Sequence, residues 1–112
     1  MTKASLGAGN VEITLDGETA VLKPTLLAAQ TISRQAGGII AAVEAAAKFD
    51  VDAVTGVIAL GLGRKPTEVA EAVWSTGIAD LAPKAIEFLT ILANGGRRAN
   101  GGEEKANPRT SE

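Results

Sequence analysis

The side chains that most often do chemistry are thinly represented in this sequence, and each cluster of them has a structural alternative. None of the 112 residues is His or Cys. That removes the commonest general base, the thiolate nucleophile, the usual zinc sites and any disulfide. Asp50 and Asp52 could serve as paired carboxylates for acid–base work or for a metal. No third acidic residue follows at EF-hand spacing and an apolar helical run begins there, so both are candidate helix N-caps. Gly61-Leu62-Gly63-Arg64-Lys65 superficially suggests a phosphate loop. It lacks the GxxxxGK-Ser/Thr spacing and follows a predicted helix instead of a strand, so a helix end with a glycine turn accounts for it. Thr67 to Trp74 could be part of a helix-turn-helix, but Glu68 and Glu71 would bring negative charge toward DNA. Arg97-Arg98 is largely cancelled by Glu103-Glu104, and the formal net charge is −2. The chain therefore lacks the positive excess of a nucleic-acid domain. We expect no catalytic residue, no cofactor site and no metal site; binding or assembly is the class that remains.

The elements that must position any binding residue begin with a hairpin. Val11, Ile13 and Leu15 alternate with Glu12 and Thr14, the period of a half-buried strand. Asp16-Gly17 suits a two-residue type I′ turn, which needs φ > 0 at both central positions. That turn predicts the register Leu15–Glu18, Thr14–Thr19, Ile13–Ala20, Glu12–Val21 and Val11–Leu22. Val11, Ile13, Leu15, Ala20 and Leu22 then share an apolar face, and the opposite face is mostly polar. A lone hairpin is marginal in water, so the apolar face must lie on helices or on a partner.

Helices are predicted after Pro24. Thr25 is the expected N-cap of a helix over 26–36, with Leu26, Ala29, Ile32 and Ala36 inward and Gly37-Gly38 closing it. A second helix runs from Ile39 to about Lys48, with Ile39/Ile40, Val43 and Ala47 on its inner side. The third starts near Asp50 or Asp52 and is apolar on almost every side through Val51, Val54, Ile58 and Leu62, thickened by Val57 and Leu60. Such a helix is expected at the centre of the core. A fourth spans about 66–76 and uses Val69, Val73 and Trp74. A final helix is expected to be capped by Asp80 and to carry Leu81, Ala85, Phe88 and Leu92 inward, with Pro83 in its first turn. Phe49, Trp74 and Phe88 are the only large anchors available. Trp74 is expected in the core, with an exposed interface anchor as the alternative.

The fold class is thus mainly α: an N-terminal β-hairpin, then a compact bundle of four to five short helices, then a polar tail. Residues 1–9 read as a flexible lead, 10–94 as one domain, and 95–112 as a disordered tail too poor in apolar residues to offset its ordering entropy. No signal peptide is visible, and the longest uncharged run, Ala53 to Gly63, is far shorter than the roughly 20 residues that cross a bilayer.

The order of these parts resembles the small tail-assembly-chaperone family of gene transfer agents and siphophages, whose genes lie near the tape-measure gene. The matching pieces are Val11-Glu12-Ile13-Thr14-Leu15-Asp16-Gly17, Leu22-Lys23-Pro24-Thr25-Leu26, Gly37-Gly38-Ile39-Ile40, Val57-Ile58-Ala59-Leu60-Gly61-Leu62, and Gly77-Ile78 to Ala93. In that family the first helix is often more acidic and has an aromatic residue near the positions of Leu26-Leu27; Gln30, Thr31 and Ser33 stand here instead. The resemblance implies a non-enzymatic protein of the bacterial cytoplasm that binds the tape-measure protein, helps recruit tail-tube subunits, and is absent from the mature phage or prophage-derived particle. No nucleic acid or membrane is implied, and weak homo-oligomerisation is compatible with it. Partner contacts would then fall on the hairpin positions Glu12, Thr14, Thr19 and Val21 and on Leu26 and Trp74. A structural minor tail or tube-associated protein is the near alternative, and a small DNA-binding regulator a distant one.

Overall fold

A computed structural model describes residues 9–97. Of the expected lead over 1–9 and disordered tail over 95–112, residues 1–8 and 98–112 lie outside the described residues; Gly9 is buried, and Gly95 and Gly96 are held in the turn after α5 by bonds to the Leu92 and Ile91 carbonyls. Two strands, β1 (Val11–Leu15) and β2 (Glu18–Leu22), precede α1 (Leu26–Ala36), α2 (Ile39–Ala47), α3 (Val51–Leu62), α4 (Pro66–Thr76) and α5 (Ile78–Ala93).

The hairpin has the predicted register, Val11 opposite Leu22 through Leu15 opposite Glu18. Asp16 and Gly17 both take positive φ, 54° and 85°, as a type I′ turn requires. Val11, Ile13, Leu15 and Leu22 are buried on one face while Ala20 is partly so. Two hydrogen bonds fasten the hairpin to the helices. The Asp16 N–H donates to Thr76 Oγ1 at the end of α4 (2.6 Å), and the Lys23 N–H donates to the Gly61 carbonyl in the last turn of α3 (2.9 Å). The second bond satisfies one of the four carbonyls that every helix end leaves unpaired. It also explains why Gly61 is glycine. A Cβ there would stand 2.9 Å from both Cβ and Cδ2 of Leu22.

The helix bounds follow local chemistry. Thr25 caps α1, its Oγ1 accepting from the Ala28 N–H (3.1 Å), and Asp50 caps α3, its Oδ1 accepting from the Ala53 N–H (3.0 Å). Asp52 therefore lies in the first turn of α3, where its charge complements the helix dipole. At the head of α4 Glu68 Oε1 accepts from the Lys65 N–H (3.3 Å), half of a capping box, with Pro66 at the first helical position. α5 begins earlier than expected. Gly77 ends α4 and opens α5, so Asp80 sits in the first turn instead of capping it, and Pro83 lies within the helix.

α3 is the central element, packed by α1, α2, α4, α5 and β2. Val54, Ile58 and Ala59 of α3 meet Phe88 and Leu89 of α5 and Val69 and Val73 of α4 in one core cluster. On α1 and α2 the inward faces differ in part from expectation. Ile32 is buried and Ala29, Ile39 and Val43 pack against the core as expected, but Leu26, Ile40, Ala36 and Ala47 are exposed, and Ala28, Ala42 and Ala46 are buried in their stead. Small residues let two helix axes come closer, and α2 packs extensively on α5 through such a face. The aromatic anchors are also corrected. Phe88 is fully buried, but Trp74 is 70% exposed and Phe49 is 52% exposed. The turn after α5 continues through Gly95 and Gly96 and meets Gly9, the first described residue, where a Cβ would collide with the Gly96 carbonyl.

Candidate functional site

The register decides what the hairpin offers. A two-residue turn makes Leu15–Glu18, Ile13–Ala20 and Val11–Leu22 the hydrogen-bonded pairs. The backbone groups of Glu12 and Thr14 therefore point out along the free edge of β1, and those of Thr19 and Val21 along the free edge of β2. Among the described residues no backbone hydrogen bond outside the hairpin engages these four positions. Their side chains stand on the outer face: Glu12, Thr14 and Thr19 are exposed and Val21 is half-buried. An unpaired edge of this kind is a ready template for an added strand.

The other two expected contact residues lie apart from this face. Leu26 is 74% exposed at the head of α1, beyond Pro24, and borders a small cavity of about 150 Å³ with Ala29, Leu92 and Gly96. Trp74 projects from α4, and α1 and α4 are not among the well-packed element pairs. The fold thus gathers Glu12, Thr14, Thr19 and Val21 on one surface and leaves Leu26 and Trp74 on separate ones.

Four exposed apolar residues were not anticipated from sequence: Leu27, Ile40, Phe49 and Val51. Apart from these four residues, none of which lines it, α1, α2 and α3 enclose a groove of about 360 Å³. Its walls are aliphatic, with Ile32, Ala42, Ala45, Val57 and Leu60 among them, and its charged lining residues are Asp50 and Asp52. The one sequence signal for this region is Lys48-Phe49-Asp50, an aromatic residue in a short inter-helix link where glycine is usual.

The motifs weighed for chemistry take structural places. Gly63 adopts φ 72° after α3, and the Arg64 N–H donates to the Ala59 carbonyl, so Gly61 to Lys65 is a helix C-terminus, whose dipole repels anions. Asp50 is occupied in capping, and among the described residues no group of three or more possible ligands could hold a metal. None of the described helices is long and apolar enough to cross a membrane. Arg97 is exposed, and Arg98, Glu103 and Glu104 lie outside the described residues. No protein-family model, curated protein or solved structure matches the chain.

Proposed function

We propose that this protein is a non-enzymatic assembly chaperone of a phage-like tail. In this reading it binds the tape-measure protein in the cytoplasm of the bacterial host, helps recruit tail-tube subunits, and is left out of the finished particle. The observation that carries the reading is the placement of large apolar side chains. Leu26, Leu27, Ile40, Phe49, Val51 and Trp74 stand outside a core already filled by others, and they include two of the chain's three aromatic residues. Single exposed apolar residues are ordinary. Spending most of a scarce aromatic supply on the surface is the pattern of a protein that covers another's apolar surface.

The physical requirements of the role agree with this. A tape-measure protein is long and helical and exposes apolar stripes until the tube encloses it, so its chaperone must cover such stripes and then release them. Separate small apolar contacts and an open strand edge permit several weak engagements along one long partner, whose combined strength exceeds that of each alone.

Co-expression with the tape-measure protein of the same tail gene cluster tests the proposal. The tape-measure protein is expected in the soluble fraction, in complex with this chain, and in aggregates without it. Stoichiometric presence of this chain in purified mature tails, read by mass spectrometry, would instead make it a structural tail protein.

A further inference from the structure

Each edge of the hairpin is closed at one end by a helix terminus. On β1 the Asp16 N–H is held by Thr76 Oγ1 of α4 (2.6 Å), and on β2 the Lys23 N–H is held by the Gly61 carbonyl of α3 (2.9 Å). The open stretch between is Glu12 and Thr14 on β1, and Thr19 and Val21 on β2. The β1 edge has no proline, no lysine and no bulge to discourage pairing, and both its outward residues are exposed. Glu12 is its one charge, and where that carboxylate falls decides what the edge can pair with.

A second copy of the same edge would pair antiparallel about a two-fold axis, and the outward backbone groups allow three registers that engage the middle of the strand. Glu12 opposite its own equivalent brings two carboxylates together. Thr14 opposite its equivalent sets Glu12 against Asp16, again like charge, and needs the Asp16 N–H that Thr76 already holds. The register between these sets Glu12 opposite the second copy's Thr14, and Thr14 opposite its Glu12, each pair exchanging two backbone hydrogen bonds. Ile13 then lies on the axis and Val11 opposite Leu15, so the inner face stays apolar across both copies and no like charges meet. The matching arrangement of β2 would set Glu18 against the fully buried Leu22, and Val21 at that edge is already half-buried.

We propose that the free β1 edge is a self-association site, at which two copies of this chain pair β1 to β1 with Glu12 opposite Thr14 and join their two-stranded sheets into one of four strands. α4 is the helix on this side of the sheet: of the well-packed element pairs, α4 meets β1 and α3 meets β2. Among the described residues of the hairpin, α4 and α5, Trp74 on α4 is the one large exposed apolar side chain, so the second copy arrives on the side that carries it. The pairing stands apart from the chaperone reading, because it needs no partner but the chain itself.

Sedimentation velocity of the full chain from about 10 μM to about 1 mM tests this, with circular dichroism on every variant. A reversible monomer–dimer equilibrium is expected, in which the Glu12 and Thr14 amides gain protection from hydrogen exchange as the dimer forms. Thr14→Pro deletes an outward N–H that no bond within the chain uses, so it should abolish the dimer and keep the fold. Thr19→Pro makes the same change at the β2 edge and should leave the dimer intact. Thr14→Lys should tighten the dimer about tenfold and Thr14→Glu should weaken it about tenfold, each through two cross-strand pairs with Glu12. Thr19→Lys and Thr19→Glu alter the net charge equally and should change the association by less than about threefold. Should Thr14→Pro unfold, the charge variants decide alone. A chain that stays monomeric throughout, a dimer that survives Thr14→Pro, or a shift in the same direction by Thr14→Lys and Thr14→Glu overturns the proposal. A monomer whose tape-measure binding is lost in Thr14→Pro would overturn it too, and would assign the edge to that protein.

Discussion

The two sides of this molecule differ in how many large residues they bury. Where the hairpin, α3, α4 and α5 meet, the large side chains are inside: Leu22, Ile58, Leu81, Phe88 and Leu89 are almost wholly buried. On the side made by α1 and α2 the buried set is Ala28, Ile32, Ala42 and Ala46, while Leu26, Leu27 and Ile40 face solvent. Fully burying a Leu or Phe contributes about 1.5–3 kcal/mol, and an alanine methyl contributes only about one methylene's worth, ~0.8 kcal/mol. The first side therefore supplies most of the stability. The second is held by close approach of small residues and keeps its large apolar groups available, so stability and binding are assigned to different faces.

The contrast is tested most severely by Phe88→Ala. A cavity at a fully buried aromatic costs about 3–5 kcal/mol, which can exceed half the stability of a small domain, and urea denaturation should show it as a large fall in midpoint. A loss below about 1 kcal/mol would mean that the α3–α5 side is not the main source of stability. Gly61→Ala comes next. Alanine normally favours a helix interior by about 1 kcal/mol over glycine. Here its Cβ would meet Leu22 Cβ at 2.9 Å and Phe88 Cζ at 3.2 Å, so overpacking of about 1–3 kcal/mol should outweigh the gain. Gly56, five residues earlier in α3 and lining the groove, has nothing within 4 Å of such a Cβ. Gly56→Ala should stabilise by about 0.5–1 kcal/mol, so the two substitutions differ in sign although they share a helix.

Phe49→Gly should also stabilise, by about 1 kcal/mol, because it relieves a left-handed β-carbon whose ring is half exposed. For a domain of this size that corresponds to a rise in melting temperature of about 4–8 °C. A fall of that size would show that the ring packs more than its exposure indicates, and would weaken the division between a stabilising and a binding side.

Much of the fold was legible because turn and cap chemistry is local. Asp16-Gly17 set the hairpin register, Thr25 and Asp50 set two helix starts, and Gly37 and Gly63 set two ends, each through a residue whose own side chain or φ decides the outcome. The start of α5 was misplaced because Asp80 is a good cap by type, whereas Gly77 is already used to turn the chain out of α4. The inward faces of α1 and α2 were misjudged in part, for a tertiary reason. Periodicity weighted toward large residues chose Leu26 and Ile40, but close packing against α5 selects whichever face is smallest, and an alanine-rich helix offers several. The groove was invisible for the same reason, since it exists only where three such helices meet. Among the contact residues, the hairpin positions followed from register alone, whereas Trp74 was expected inside and Phe49 was counted as core.

The smallest expected effect on stability sharpens the comparison most. Leu26 and Leu27 are 74% and 67% exposed at the head of α1, so replacing both by Ser removes little buried area. Each change should alter stability by no more than about 0.5 kcal/mol. Thr25 Oγ1 would still cap the helix, so the circular dichroism spectrum should be unchanged. If these side chains are withheld from the core for a partner, the double variant should lose the ability to keep the tape-measure protein soluble on co-expression. Retained solubilisation by the folded double variant would confine the interface to the strand edges and the other exposed apolar residues, Trp74 and Phe49 among them. A clear loss of stability would instead mean that Leu26 or Leu27 packs more than its exposure indicates, and the alanine-faced side would then be less open than its exposed leucines imply.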